Sequence, residues 1–110
     1  MKYKNRPTQI GNEKYRSEHE AARHQSLLIR QRAGKITGLV REVPFVLAPK
    51  VKIIGENRAR PAVRYVADFV YSDAETGQIV VADAKGMQTP VYRLKKHLMK
   101  TVHNIDVVEL

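Results

Sequence analysis

Residues 63–85 constrain this chain more than any other stretch. Val63 to Tyr71 and Gln78 to Lys85 are strand-length apolar runs, separated by the turn sequence Asp73-Ala74-Glu75-Thr76-Gly77. So short a connection joins antiparallel neighbours. Alternation places Val63, Tyr65, Ala67, Phe69 and Tyr71 on one face, with Arg64, Val66, Asp68 and Val70 on the other. In the second run Asp83 and Lys85 share a face, about 6.6 Å apart along the backbone. With Asp68 opposite them, two carboxylates and an ammonium converge at one spot.

The flanking sequence supplies the elements such a pair needs for burial. Residues 1–16 read as a basic arm bearing Lys2, Lys4, Arg6, Lys14 and Arg16, interrupted by Pro7 and Gly11. Ser17-Glu18-His19-Glu20 matches a capping box and starts a helix, with Ala21 and Leu28 in a modest apolar stripe and Gly34 suited to its end. Ile36 to Leu47 alternates, with Leu39, Val43, Phe45 and Leu47 on one face, Arg41 breaking the pattern and Pro44 arguing for an edge or a bulge. Val51 to Ile54 continues extended, and Gly55 to Pro61 is a polar turn carrying Arg58 and Arg60. After Gly86, Thr89-Pro90 opens a second helix with apolar Val91, Leu94 and Leu98 and basic Arg93, Lys96 and Lys100. Ile105 to Leu110 is a last short strand. The succession is helix, three strands, helix, strand, in a single domain over residues 17–110 behind the arm.

Composition narrows the partners. Twenty Lys and Arg against eleven Asp and Glu give a formal charge of +9, which favours a polyanion, nucleic acid before membrane. The chain has no cysteine, so a disulfide framework and a thiolate metal site are both excluded. No apolar run approaches the ~20 residues that span a bilayer, and an intracellular, cytoplasmic protein is expected. His19, His24, His97 and His103 show no tight ligand spacing, which argues against zinc or histidine-based catalysis.

Asp83 and Lys85 carry the most chemical weight. The plainer reading is an exposed strand end whose acid and base pair in water. Against it, Ile79-Val80-Val81-Ala82 is apolar at consecutive positions, as in a strand buried on both faces. Asp68 stands between Ala67 and Phe69 with valines at 66 and 70. It is either satisfied by backbone amides or Arg64, or part of a site. For Glu20 the choice lies between a helix cap and a metal-shell residue. Hard oxygen ligands from Asp68, Asp83, Glu20 and the Ala84 carbonyl would suit Mg²⁺ or Mn²⁺. Lys85 does not suit a general base, because two carboxylates raise a pKa already about 10.4. Protonated, it orients a water and offsets transition-state charge. Arg93, Lys96 and Lys100 could follow a phosphate backbone, with Tyr92 and Lys95 near the strand end.

These residues resemble the PD-(D/E)XK nuclease superfamily, and more closely a group of small phage and prophage proteins within it. The resemblance covers the chain from about Tyr15 and rests on Ser17-x-x-Glu20-Ala21, Tyr65-x-Ala67-Asp68-Phe69-x-Tyr71, Asp83-x-Lys85-Gly86 and Tyr92-x-x-Lys95-Lys96. It implies a restriction-endonuclease-like α/β (α+β) core of order α-β-β-β-α-β, a mixed sheet flanked by helices. Its active site would be Glu20, Asp68, Asp83 and Lys85. Two departures stand out: Ala67 replaces the proline that names the motif, and Asp83 stands where Glu is common.

The expectation is a Mg²⁺-dependent (or Mn²⁺-dependent) endodeoxyribonuclease of a bacterial host cell, phage-derived and acting in DNA recombination, repair or packaging. The resemblance implies hydrolysis leaving a 5′-phosphate. One site per chain points to a homodimer for cutting both strands, for instance at a Holliday junction. DNA contacts are expected from Lys4, Arg16, Arg58, Arg60, Arg93, Lys95, Lys96 and Lys100. The alternatives are a nuclease-like module that recruits DNA without cutting it, and a basic RNA-binding domain.

Overall fold

The computed structural model describes residues 6–84 and 88–110. Along the chain come β1 (Thr8–Ile10), β2 (Glu13–Tyr15), α1 (Glu18–Arg32), β3 (Ile36–Ala48), β4 (Val63–Asp73), β5 (Ile79–Asp83), α2 (Pro90–His103) and β6 (Val108–Glu109). From α1 onward this is the expected α-β-β-β-α-β succession. The last four strands lie side by side in the order β3-β4-β5-β6. β3, β4 and β5 are antiparallel, and β5 pairs with β6 in parallel. The mixed sheet follows from connectivity: a tight turn reverses β4 into β5, whereas α2 carries the chain back so that β6 runs alongside β5.

Local chemistry sets most element ends. The Ser17 hydroxyl accepts the Glu20 N–H at 3.1 Å and starts α1. At the other end Gly34 takes a left-handed φ of 77°, and bonds from Gly34 N to Gln31 O and from Lys35 N to Arg30 O close a Schellman-type end. The Asp73 carboxylate accepts the Glu75 and Thr76 N–H groups, both at 2.9 Å, and so organises the β4–β5 turn. Thr89 caps α2 through Tyr92 N at 3.1 Å, with Pro90 in the first turn. Pro44 is accommodated because β3 is an edge strand.

Four expectations are corrected. Residues 8–15 are not a featureless arm: β1 and β2 form a hairpin in which Ile10 pairs with Glu13 around Gly11-Asn12, and Tyr15 is buried. That hairpin packs against α1. Val51 to Ile54 is not a continuing strand. Only Val51 bridges to Arg60, and a turn closes from Glu56 N to Ile53 O. α2 buries Tyr92 and Met99, while Val91 and Leu94 are exposed. The helix docks through the aromatic and methionine side because that side fills the space over Tyr65, Ala67 and Val81.

The fourth correction concerns β4. Tyr65 and Ala67 pack with Leu47, Val81, Tyr92 and Met99, in the core beneath α2. Phe69 and Tyr71 pack instead with Leu27, Ile36 and Ala82, in the core beneath α1. Strict alternation would keep these four residues on one face. The pattern breaks at Asp68, level with Glu42 on β3, whose backbone adopts φ 54°. A non-glycine residue in that region is strained, and here it marks the changeover between the two cores. The β3–β4 ribbon also outruns β5. It pairs from Ile36–Asp73 to Ala48–Val63, whereas β4 meets β5 only over Phe69–Ser72. Past β5 the ribbon is covered by α2, with Leu47 and Tyr65 packing against Tyr92 and Met99, and the molecule measures 55 × 35 × 27 Å.

Candidate active site

Glu20, Asp68 and Asp83 are 3%, 2% and 1% exposed, respectively. Carboxylates so deeply buried require partners, because desolvation penalises the charged form heavily. Asp68 stands at the changeover in β4 and Asp83 ends β5, one step beyond the Phe69–Ala82 pair. The Ala84 N–H donates to Asp68 Oδ2 at 2.9 Å across the strands, and Ala84 itself is buried. The structure thus joins Asp68, Asp83 and Ala84 across two paired strands. Lys85 and Lys4 lie outside the described residues.

Electrostatics mark the aspartate pair. Burial and the facing Asp83 carboxyl, acting through a hydrogen bond and through charge, push the Asp68 pKa up to about 7. The Ala84 N–H and Arg16 oppose that rise. Two carboxylates in contact cannot both ionise cheaply, so the metal-free pair retains a proton near neutrality. Burial, then the Asp83 charge, raises the Tyr65 phenol far above its usual range. Burial and its bond to Glu109 raise Tyr92. Both phenols stay protonated, and Tyr92 O–H donates to Glu109 Oε2 at 2.8 Å.

Glu20 does more than cap a helix. Its own N–H is taken by Ser17, but its carboxylate does not complete the reciprocal box. Oε1 accepts Arg16 N at 3.3 Å and lies 3.5 Å from Arg16 Nε. Oε2 accepts Arg41 Nη2 at 3.2 Å. Arg16 continues to the strands, where Nη2 donates to Asp68 Oδ1 at 2.6 Å. Glu20 and the aspartates therefore meet through a guanidinium.

A layer behind Glu20 fixes its direction. Arg41 also binds Glu13 Oε1 at 2.6 Å, and its guanidinium lies 4.2 Å from the Tyr15 ring centroid. Burial and the nearby Arg41 charge lower the His24 pKa, which leaves a neutral imidazole. Its Nδ1 shares a hydrogen bond of 2.5 Å with the Tyr15 hydroxyl, while the ring stacks on Phe69. Sequence reasoning did not single out Arg41, Tyr15 or His24 as supports. The one available signal was Arg41, an arginine interrupting an otherwise apolar alternation.

The donor set suits a hard divalent cation. It is all oxygen, it is buried, and in the aspartate pair a cation would replace the retained proton. Among the described residues, no three acidic or histidine side chains are yet gathered at the spacing of a formed metal site, and Arg16 lies between Glu20 and Asp68.

The expected nucleic-acid contacts divide into three groups. Arg58 and Arg93 are exposed and Lys95 is half-buried. Arg60 is held by Glu56 through two bonds of 3.0 and 2.7 Å. Lys96 pairs with Glu109 and Lys100 with Asp106, each at 2.9 Å, while Arg16 is turned into the acidic cluster. Among the described residues, no helix is long and apolar enough to cross a membrane.

Comparison with curated proteins and with solved structures gives no match. A family model described as "Protein of unknown function (DUF1064)" matches residues 1–108, and the chain belongs to that family.

Proposed function

We propose that this protein is a divalent-metal-dependent endonuclease hydrolysing phosphodiester bonds in DNA. The observation that carries the reading is the buried Asp68–Asp83 pair, in which burial, and then the hydrogen bond and charge of the Asp83 carboxyl, push the Asp68 pKa up to about 7. A structural role gives no reason to bury two adjacent acids, whereas a cation site does. Asp68, Asp83 and Glu20, with the Ala84 carbonyl, would hold Mg²⁺ or Mn²⁺. When bound, such an ion supplies Lewis acidity toward water and phosphate. Arg41 and Ser17 aim Glu20, and the Ala84 N–H aims Asp68. The Tyr65 and Tyr92 side chains keep bulk water from the inner side of the aspartates. Lys85 would orient the attacking water, as the family resemblance implies. Exposed Arg58 and Arg93 would take the DNA backbone rather than read bases.

One site per chain cuts one strand, so double-strand cleavage or junction resolution needs two copies. The exposed apolar residues Val91, Leu94 and Val102 of α2 are what such a pairing would cover. The phage, bacterial-cytoplasmic and recombination setting comes with the resemblance and is part of the proposal.

Cleavage of supercoiled plasmid and of a four-way junction in Mg²⁺ or Mn²⁺ tests this reading. Wild type should cut at least one of them, and Asp83→Ala should lose at least ~100-fold, the scale of removing one strong transition-state contact. Failure of wild type on every DNA form, or full activity in Asp83→Ala, would defeat it. A second reading is a nuclease-like module that binds DNA without cutting. Its support is that arginines already satisfy Glu20 and reach Asp68. Calorimetry with Mg²⁺ separates the two, because the non-cutting module predicts no metal binding through these acids.

A further inference from the structure

Arg16 follows β2 and precedes the α1 cap, and both its backbone and its side chain address the acidic cluster. Its N–H and Nε lie 3.3 and 3.5 Å from Glu20 Oε1, and Nη2 lies 2.6 Å from Asp68 Oδ1. The Asp83 charge acts on it as well. Yet the Arg16 side chain is 62% exposed, while each carboxylate it binds is 3% exposed. It is a cation reaching in from solvent to buried acids.

We infer that Arg16 is the resident counter-cation of this site. It competes with a divalent metal for Glu20 and Asp68, and it is freed toward a nucleic-acid phosphate when metal enters. This rests on the metal-site reading above and adds a coupling between metal occupancy and DNA binding.

Three observations carry it. First, the contested oxygens are the same. A Mg²⁺-sized ion needs carboxylate oxygens at roughly 2.1 Å, and a guanidinium bonded to Asp68 Oδ1 would face it across that oxygen as a like charge. Second, only one of the two arginines on Glu20 can give way. Arg41 is 16% exposed and is pinned by Glu13 and the Tyr15 ring, whereas Arg16 has solvent on its outer side. Third, the freed group has suitable chemistry. A planar guanidinium binds phosphate through two parallel N–H bonds, and Arg16 hangs on the solvent side, from which a polyanion must approach.

The test uses Mn²⁺ as the probe on the full chain, with free Mn²⁺ read by electron paramagnetic resonance. Arg16→Ala should bind Mn²⁺ about tenfold more tightly than wild type, the effect of removing a competing contact worth ~1.4 kcal/mol. Its thermal midpoint should fall without metal and gain more from saturating Mn²⁺ than that of wild type. Arg16→Lys, which keeps the charge, should return Mn²⁺ affinity close to the wild-type value. In Ca²⁺, the salt dependence of binding to a short DNA duplex should drop by about one phosphate contact in Arg16→Ala. Mn²⁺ affinity unchanged or weakened in Arg16→Ala, while Asp83→Ala abolishes binding, overturns the competition and leaves the metal site standing. Wild type that binds no Mn²⁺ overturns both.

Discussion

Arg41 Nη2 donates to Glu20 Oε2 at 3.2 Å from a guanidinium lying 4.2 Å from the Tyr15 ring centroid. This contact spans the first helix and the edge strand. It fixes a carboxylate that the helix cap alone would leave free to rotate. Removing one partner strands the other: Arg41→Ala leaves Glu20 buried with only the solvent-facing Arg16 as counter-charge. The expected cost is about 3 kcal/mol, as for breaking a largely buried ion pair. The uncharged double variant Arg41→Met with Glu20→Gln should recover more than half of it. Urea denaturation of the single and double variants checks this, and equal losses in both would mean that packing rather than charge matters here.

The pH dependence of metal-free stability should carry the signature of Asp68. Its carboxyl is pushed up to about 7 in the folded state, from 3.8 when unperturbed. Between those values the folded protein binds more protons than the unfolded one, so Asp68 makes stability fall as pH rises from about 4 to about 7. Asp68→Asn removes this contribution. Thermal midpoints in a chelator, taken across that range, should decline more steeply with pH for wild type than for Asp68→Asn. Saturating Mn²⁺ should reverse the wild-type trend. Parallel profiles would show that no proton is held at this pair.

His24 acts in the opposite sense. Burial first, and then the Arg41 charge, lower its pKa below the usual 6.5. The folded protein therefore binds fewer protons at this ring than the unfolded one. The stabilisation it supplies is present above about pH 6.5 and is lost as pH falls through the depressed folded value. Tyr15→Phe removes the hydroxyl bonded to Nδ1 and should cost about 1 kcal/mol, the typical net worth of such a bond. Proton NMR titration of the His24 ring supplies the direct check. A midpoint at or above 6.5 would contradict a buried neutral imidazole.

The β3–β4 ribbon invites a binding measurement. Lys50 and Arg58 are exposed on its loop, beyond the last β3–β4 pair at Ala48–Val63. If both contact phosphates, Lys50→Gln with Arg58→Gln should lower the slope of log affinity against log salt by roughly 0.9 per lost contact. The loss should be uniform across DNA sequences, because no base edge is read. Anisotropy titrations at several salt concentrations will show it. An unchanged slope would place the DNA elsewhere, on the α2 side of the molecule.

Much of the fold was legible because its boundaries are written in short-range chemistry. Ser17, Gly34, Asp73 to Gly77 and Thr89-Pro90 each satisfy or release backbone groups within a few residues, and each ends an element where expected. The first hairpin was missed because Thr8 to Tyr15 carries charge instead of apolar alternation. Its one signal was Gly11-Asn12 between two strand-length triplets, a turn pair that was passed over. The α2 face was misread for another reason. Val91 and Leu94 have the right spacing for burial yet are exposed, whereas Leu98 packs partly buried beside Tyr92 and Met99 on the side that fits the sheet.

The candidate site divides along the same line. Asp68 and Asp83 could be placed together from sequence because a tight turn forces their strands to be neighbours and sets their register. Their number, their type and their burial follow from a strand pattern only a few residues long. Three things needed the packed molecule. One is the changeover of faces at Asp68, which depends on a strained Glu42 in a partner strand. Another is the direction of Glu20, set by Arg41 from across the fold. The last is Arg16, whose place between helix and strand acids comes from contacts between residues distant in sequence. Hydrogen-bonding and conformational preferences act over a turn of chain, so a sequence displays them. Partners for a buried charge are chosen by whatever the collapsed chain brings near, and only the tertiary arrangement specifies that.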